Sequence, residues 1–597
     1  MKLQIQKAST FVLYIALIIC TILMGGSNWY CCIIPILLLL IYVMIYRKEI
    51  LTAQSTIIIM ILIITGSIAV AFTVGDKQNA MYEYEKIFCF ILAFFAGKCI
   101  KNKDTVLHGI MICSLMTAVA GLLAYCNIIR IEEFTFNDRN IIRLQSFLKY
   151  ANATALILGC GYFSAMKLLN ISSKEPIAYI SAAVLTAFYL TVSKAAIPLF
   201  LLLESILFLA ERKYAHKFIM QNLICMIFTV LIILAGYWTM RTIQFLLIIM
   251  CVCIGGYAGL SDKNRPFNKH LLWIWSGGFV CFFAAICAMF LANHISIFET
   301  LIRRFDYMKD ALTLLRDHWL LGIGPGAWKY YQNFVQTTQY SVTYVHNGWL
   351  QMWLDYGIIF FVAMLIILAK TLWSFAAKRH YFFLTITVFI ITHSFVDINL
   401  SFGLILTLLG LLAGIALQEE KQIKLGKPVF YSIIVCSCLM LGYMTIEYTV
   451  RNMFEQAYTK NNSEKAARYA LVLEKICPYD SNLQISLAAL GQGDVSTRIK
   501  KAIELSPMDI ALRETKIEYA IAHGETSVID QCRQYVKMAK HQEDVYVKAE
   551  QYADQTLNAG LCMQEEYEDF MDEIEVMRKD FDVVNRNKLL DEIVNKN

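Results

Sequence analysis

Charge is what this sequence has least of. Asp, Glu, Lys and Arg make up 17% of its 597 residues, and 58% of them are hydrophobic. Soluble domains carry roughly 25% charge, so a cytosolic globular enzyme is excluded. The scarce charge is also unevenly spread. Residues 1–446 hold 34 Lys+Arg against 20 Asp+Glu, while residues 447–597 hold 19 against 27. A basic, apolar body with an acidic tail reads as a polytopic membrane domain, 1–446, followed by a soluble domain, 447–597. Cysteine pairing is missing as well. Fifteen of the 18 cysteines lie before Ile446 in apolar runs, and none forms CxxC units with His at zinc spacing. The tail has an odd three, Cys477, Cys532 and Cys562, which excludes a secreted disulfide framework. Lys2 and Lys7 precede an apolar run with no clean small-residue cleavage site, so a retained first span is expected.

Apolar stretches long enough for roughly 30 Å of hydrocarbon begin near Phe11, Trp29, Ser55, Ile87, Thr105, Ala151, Ile177, Ala195, Phe218, Ile243, Leu271, Leu350, Tyr381, Leu400 and Val429. They predict an all-α helix bundle of about 14–15 spans. Basic residues fall on alternate short loops: Arg47-Lys48, Lys98 to Lys103, Lys167 and Lys174, Arg212 to Lys217, Lys263 to Lys269, Lys370 to Arg379, and Lys421 to Lys427. The positive-inside bias makes that face cytoplasmic, with the N-terminus inside and the tail outside a plasma membrane. Nine of the remaining basic residues cluster in two outward loops, Cys126–Tyr150 and Asn293–Trp349. Long loops can carry merely solvated charge, but cations concentrated this way ask for an anionic ligand.

The tail is polar and helix-prone. Ala466, Ala470 and Leu473 precede Pro478, and Ile499, Ala502 and Leu505 precede Pro507, a pattern like the second helix of a tetratricopeptide repeat. An α-helical repeat-like stack is expected, serving as a spacer or as a docking surface for a protein or glycan.

The chemistry-bearing segment begins with Arg303-Arg304-Phe305-Asp306 and continues through Gly322-Ile323-Gly324-Pro325-Gly326-Ala327-Trp328 to His346-Asn347. Phe305, Met308, Leu312 and Leu315 predict one apolar face on a helix lying along the outer membrane surface. The glycines predict a tight loop where backbone can approach a ligand, and His346 stands at the mouth of the next span. Upstream lie Arg143-Leu-Gln-Ser-Phe-Leu-Lys-Tyr-Ala-Asn152 and Leu190-Thr-Val-Ser-Lys194, and downstream His393-Ser-Phe-Val-Asp397. These segments, in this order, resemble the O-antigen ligase and Wzy-type polymerase superfamily of envelope glycan enzymes, most sharply over residues 143–403. Lys194 stands where that family usually has Arg.

The resemblance implies a GT-C-like fold and transfer of a glycan from an undecaprenyl diphosphate donor to a hydroxyl acceptor on a glycan, lipid or wall polymer, as polymerase or ligase. Arg304 and Arg143 then fork onto the diphosphate, Lys194 adds a point charge, and His346 takes the acceptor proton. Asn347, His393, Asp397, Gly324 and Gly326 support them. His393 and Asp397, four apart, can pair across one helical face, for orientation or catalysis alike. Glu204 is either a relay or a hydrogen-bond partner of a neighbouring helix. The membrane domain lacks Asp-x-Asp, so no metal and no cofactor are expected. Metal-assisted transfer built on Glu83 and Glu85 is the rival mechanism. The alternative functions are a lipid-linked glycan flippase, which would show helices broken in matching halves, and a receptor-like scaffold acting through its tail. No nucleic-acid partner is expected.

Overall fold

The computed structural model describes residues 2–46, 54–138, 141–172, 175–212, 215–238, 240–260, 269–292, 297–421, 423 and 426–584. The basic positions Arg47, Lys48, Arg139, Lys174, Lys213 and Lys424, residues 263–268, and Asn293 at the start of the long loop lie outside them. A helix begins at or close to each apolar run. Among the described residues, eight helices are long and apolar enough to cross a membrane, among them Asp104–Tyr125, Ala215–Tyr237, Gly348–Ala377 and Gly426–Thr459. Shorter apolar helices of 10–17 residues include Glu175–Leu190, Ala196–Ala210 and Gly403–Ala416. The chain divides into two compact units. The first comprises Met1–Met60, Glu85–Leu301 and Ala363–Leu441, and the second Ile61–Tyr84, Ile302–Val362 and Gly442–Asn597.

At the centre of the first unit, the helices Ile87–Cys99 and Gly403–Ala416 are buried on every side. Small residues let their backbones nearly touch. A Cβ on Gly414 would lie 2.1 Å from the carbonyl oxygen of Phe94, and one on Gly410 2.4 Å from that of Phe90. Two glycines four apart, at 410 and 414, are the small-residue pattern through which apolar helices gain close van der Waals contact when no water is present to drive association. The loop between Asp104–Tyr125 and Ala151–Ser172 also holds an unexpected short antiparallel ribbon, Thr135–Asp138 with Ile141–Leu144, in which Arg143 pairs with Phe136. Deeper in this unit, Glu204 accepts from Asn222 Nδ2 at 2.8 Å, and the same amide meets the Tyr162 hydroxyl at 2.7 Å. The neighbouring-helix bond is thus present.

In the second unit, which takes the Gly426–Thr459 helix from Gly442 on, the polar end of that helix leads into seven further helices, from Ser463–Ile476 to Gln564–Val584. Each packs on the next. Their starts are written locally: Asn462, Asp480, Asp494 and Asp509 accept from the backbone N–H of Lys465, Leu483, Thr497 and Ala511, and each such cap contributes about 1 kcal/mol. A buried polar cluster ties this stack to the segment before Tyr84. Glu447, fully buried, accepts from Tyr82 and from Gln78, and pairs with Arg451 at 2.9 Å. Arg451 also reaches Asp480 at 2.8 Å, and Ser481 donates to Asp76 at 2.7 Å. A charge buried this way is tolerated only when fully paired.

A second tie is pH-sensitive. Gln336 donates to the carbonyl of His541 at 3.2 Å, and Gln542 donates to Asn333 at 2.6 Å. Burial, reinforced by Lys540, lowers the proton affinity of His541, against a smaller opposing effect of Asp310. Below the ordinary imidazole pKa of about 6.5 the unfolded chain therefore binds the proton more readily than the folded one. Stability from this group is present above that value and lost as pH falls towards the folded pKa. Hydrogen exchange around 333–342 and 536–546 should rise as pH falls through that window, and H541Q should flatten the response. A pH-independent profile in the parent protein would remove His541 from this role.

Candidate functional site

Within the first unit three of the sequence segments meet. The Arg143 Nε donates to the carbonyl of Thr191 at 3.1 Å and its Nη2 to Asn152 Oδ1 at 3.2 Å. Ser193 donates to the same Asn152 oxygen at 2.8 Å. The Asn152 amide donates to Asp397 Oδ2 at 2.5 Å, and the Tyr150 hydroxyl reaches Asp397 Oδ1 at 2.6 Å. Asp397 is buried, so these donors offset the cost of keeping a carboxylate from water. The turn between Glu175–Leu190 and Ala196–Ala210 that supplies Thr191 and Ser193 holds Val192 at φ 48°. A β-branched residue in the left-handed region is strained, and such strain clusters where function requires a backbone shape. Lys194, in the same turn, has its ammonium 4.7 Å from the centre of the Phe290 ring.

The expected His393–Asp397 helical pair needs correction. The helix Tyr381–His393 stops at His393, so the two do not share a helical face. The Asn399 amide lies 2.6 Å from His393 Nδ1, and Asp397 accepts from Tyr150 and Asn152.

The other two segments meet within the second unit. The helix Ile297–His318 carries Arg304, which is half-buried. Its packed side is a separate matter from the apolar face read in the sequence. Tyr307, Asp310, Ala311 and Leu314 are buried with Leu315, whereas Phe305 and Leu312 are 57% and 53% exposed. Asp310 accepts from the Thr337 N–H at 2.9 Å and the Tyr340 hydroxyl at 2.8 Å and so turns inward.

The glycine loop is as tight as its sequence suggests. Gly324 and Gly326 have φ of 101° and 68°, which suits residues without a Cβ. A Cβ on Gly324 would strike the Thr73 side chain at 1.9 Å. Asp355 Oδ1 accepts from the Gly326 N–H at 3.3 Å and from Gln351 Nε2 at 2.8 Å, and Gln351 Oε1 accepts from the Val345 N–H at 2.9 Å. Gln351 and Asp355 thus fix the glycine loop and the residue before His346 from one helix.

His346 itself has φ 57°, and its ring lies 5.8 Å from that of Tyr307. Asn347 caps the following helix through the N–H groups of Trp349 and Leu350, at 3.2 and 3.0 Å. N347A should therefore cost about 1 kcal/mol, visible as a lowered Tm. An unchanged Tm would mean that the cap adds nothing measurable.

Two participants were missed in the sequence. Lys329 donates to Asn79 Oδ1 at 3.1 Å, and Asn79 Nδ2 donates to the Gly326 carbonyl at 3.3 Å. Burial depresses the Lys329 pKa, partly offset by Asp76, Glu83 and Asp509. Lys329 directly follows Trp328 in the signature, so its position was the available signal; Asn79 had none. Glu83 accepts from the Tyr344 hydroxyl at 3.0 Å. Among the described residues, no group of three or more His, Cys, Asp or Glu is arranged to hold a metal.

Fold and composition together define a class, an all-helical bundle with eight apolar, membrane-length helices among the described residues, compatible with a multi-pass membrane protein. No family model matches the chain, and no curated protein matches it.

Proposed function

We propose that the chain is a membrane glycosyltransferase of envelope polysaccharide assembly, GT-C-like in architecture, with the shorter apolar helices crossing too and bringing the spans close to fifteen. The observation that carries this reading is the meeting of Arg143, Asn152, Ser193 and Asp397 in one hydrogen-bonded cluster, although they come from three separate sequence segments. A cation held by the Thr191 carbonyl and the Asn152 amide oxygen, with Asn152 itself fixed by Asp397, is preorganised to receive a phosphate oxygen, and preorganisation is what stabilises a charge that grows in a transition state.

In the proposed reaction an acceptor hydroxyl attacks the anomeric carbon of an undecaprenyl diphosphate-linked glycan. The new C–O bond forms as the bond to the diphosphate breaks, with inversion. His346 accepts the hydroxyl proton, and the diphosphate leaves with its added negative charge. Arg143, Arg304 and Lys194 are the cations assigned to that charge. The left-handed backbone at His346 supports its assignment, because it is held by the Gln351–Asp355 pair rather than by helix geometry. The tail, tetratricopeptide-like in this reading, faces outward and holds a growing chain or a protein partner.

Purified protein given a lipid-linked oligosaccharide, with and without chelator, tests the proposal by product length and anomer. A ladder of longer lipid-linked products marks a polymerase; a single transfer to another acceptor marks a ligase. Absence of transfer under both conditions would defeat the reading. Transfer only with divalent metal would defeat the cation-only mechanism and promote Glu83 and Glu85.

A further inference from the structure

A groove of about 920 Å³ lies in the first unit, and none of the candidate-site residues above lines it. It is lined by the end of the Gly348–Ala377 helix, the turn after Gly403–Ala416, and Gln54. One wall is apolar, formed by Trp373, Ala377 and Leu417, and the rim carries Lys370, Lys378 and Lys421.

The rim has more positive charge than its own carboxylates neutralise. Glu420 is shared between Lys370 at 2.7 Å and Lys98 at 3.3 Å, and it also accepts from Ser55. Glu419 pairs with Lys378 at 2.7 Å. Three rim lysines, with the buried Lys98 behind them, therefore face two carboxylates among the described residues. The imidazole of His380 reports the same field: burial first, then Lys103, Lys378 and Lys167, lowers its proton affinity, against a smaller opposing effect of Glu419. Trp373 is 77% exposed, one turn before the end of a helix whose apolar stretch precedes it. Large aromatic rings favour that level because one face meets acyl chains while the indole N–H meets water.

We infer that this groove binds an anionic glycerophospholipid, its phosphate among Lys370, Lys378 and Lys421 and an acyl chain along Trp373 and Leu417. Charge complementarity argues for the anionic headgroup, since basic pockets between membrane helices favour it. The apolar lining beside the lysines, Trp373, Ala377 and Leu417, argues for a lipid rather than a soluble anion, which would gain nothing from Trp373. This site is independent of the proposed glycan chemistry.

Native mass spectrometry of the purified full chain provides the test, with titrations of phosphatidylglycerol, phosphatidylcholine and inorganic phosphate. Phosphatidylglycerol should bind in preference to phosphatidylcholine. K378Q and K421Q should each weaken that binding about fivefold, the effect of removing one lysine near an anionic lipid surface, and leave phosphatidylcholine binding unchanged. W373A should weaken both lipids. Should K378Q fail to fold because Glu419 loses its partner, K421Q carries the same comparison, Lys421 being exposed. Equal affinity for the two lipids, indifference to the lysine substitutions, or displacement of phosphatidylglycerol by inorganic phosphate would each overturn the inference.

Discussion

Replacing Arg304 with alanine should slow glycan transfer at least about a hundredfold, the rate equivalent of roughly 3 kcal/mol lost when one preorganised donor to a developing anion is removed. Arg304 is half-buried and lies three, seven and ten residues before Tyr307, Ala311 and Leu314, on the packed side of its helix, so Tm is measured beside the rate, and a rate loss at unchanged Tm separates transfer from folding. Arg304→Lys keeps the charge and loses the planar fork, and should fall between the parent and the alanine variant. The same logic makes Lys194→Arg tolerated, since it restores the fork at a position that now offers a point charge. Unchanged transfer by Arg304→Ala would reassign that residue to anchoring the helix at the membrane surface. A severe loss in Lys194→Arg would show that the compact ammonium over Phe290 is itself required.

Gly414→Leu should abolish recovery of folded, monodisperse protein. Its Cβ alone would lie 2.1 Å from the Phe94 carbonyl oxygen and 2.8 Å from the Gly97 Cα, both backbone atoms that cannot rotate aside. Either the two central helices separate, losing contacts along both buried surfaces, or each distorts. Overpacking of a flexible core costs about 1–3 kcal/mol, and backbone against backbone leaves less room to relax. Gly414→Ala should already lower Tm measurably. Gly442→Leu is the control, because a Cβ there meets nothing within 4 Å. Similar yields from the two leucine variants would show that the helix pair tolerates separation and that its close approach is not what stabilises the unit.

Helix positions were legible because uninterrupted apolar runs leave the backbone no other way to satisfy its hydrogen bonds in hydrocarbon. The tightness of the Gly324–Gly326 loop was legible for a similar reason, since glycine marks positive φ. The packed side of a helix was not. On the Ile297–His318 helix the sequence showed the apolar face of Phe305, Met308, Leu312 and Leu315, but not the packed side that carries Asp310, because Asp310 is drawn inward by Thr337 and Tyr340, partners that no local pattern announces. His393 and Asp397 failed as a helical pair because four-residue spacing presumes a helix that ends too early. The Thr135–Leu144 ribbon escaped notice because each strand is four residues long. The 410–414 glycine pair was readable and went unread.

The cluster at Glu447 sets an order of events during synthesis. Gln78 and Tyr82 leave the ribosome early, and their partner Glu447 follows 369 and 365 residues later; Ser481 reaches Asp76 after 405. At the 5–20 residues per second of translation, that interval is roughly 20–80 seconds. Until then the segment before Tyr84 has neither the carboxylate that takes up Gln78 and Tyr82 nor the hydroxyl that reaches Asp76. Its final packing therefore waits until about three quarters of the chain has been made, and a chain stopped short of Ser481 would leave Asp76 without the hydroxyl that reaches it here.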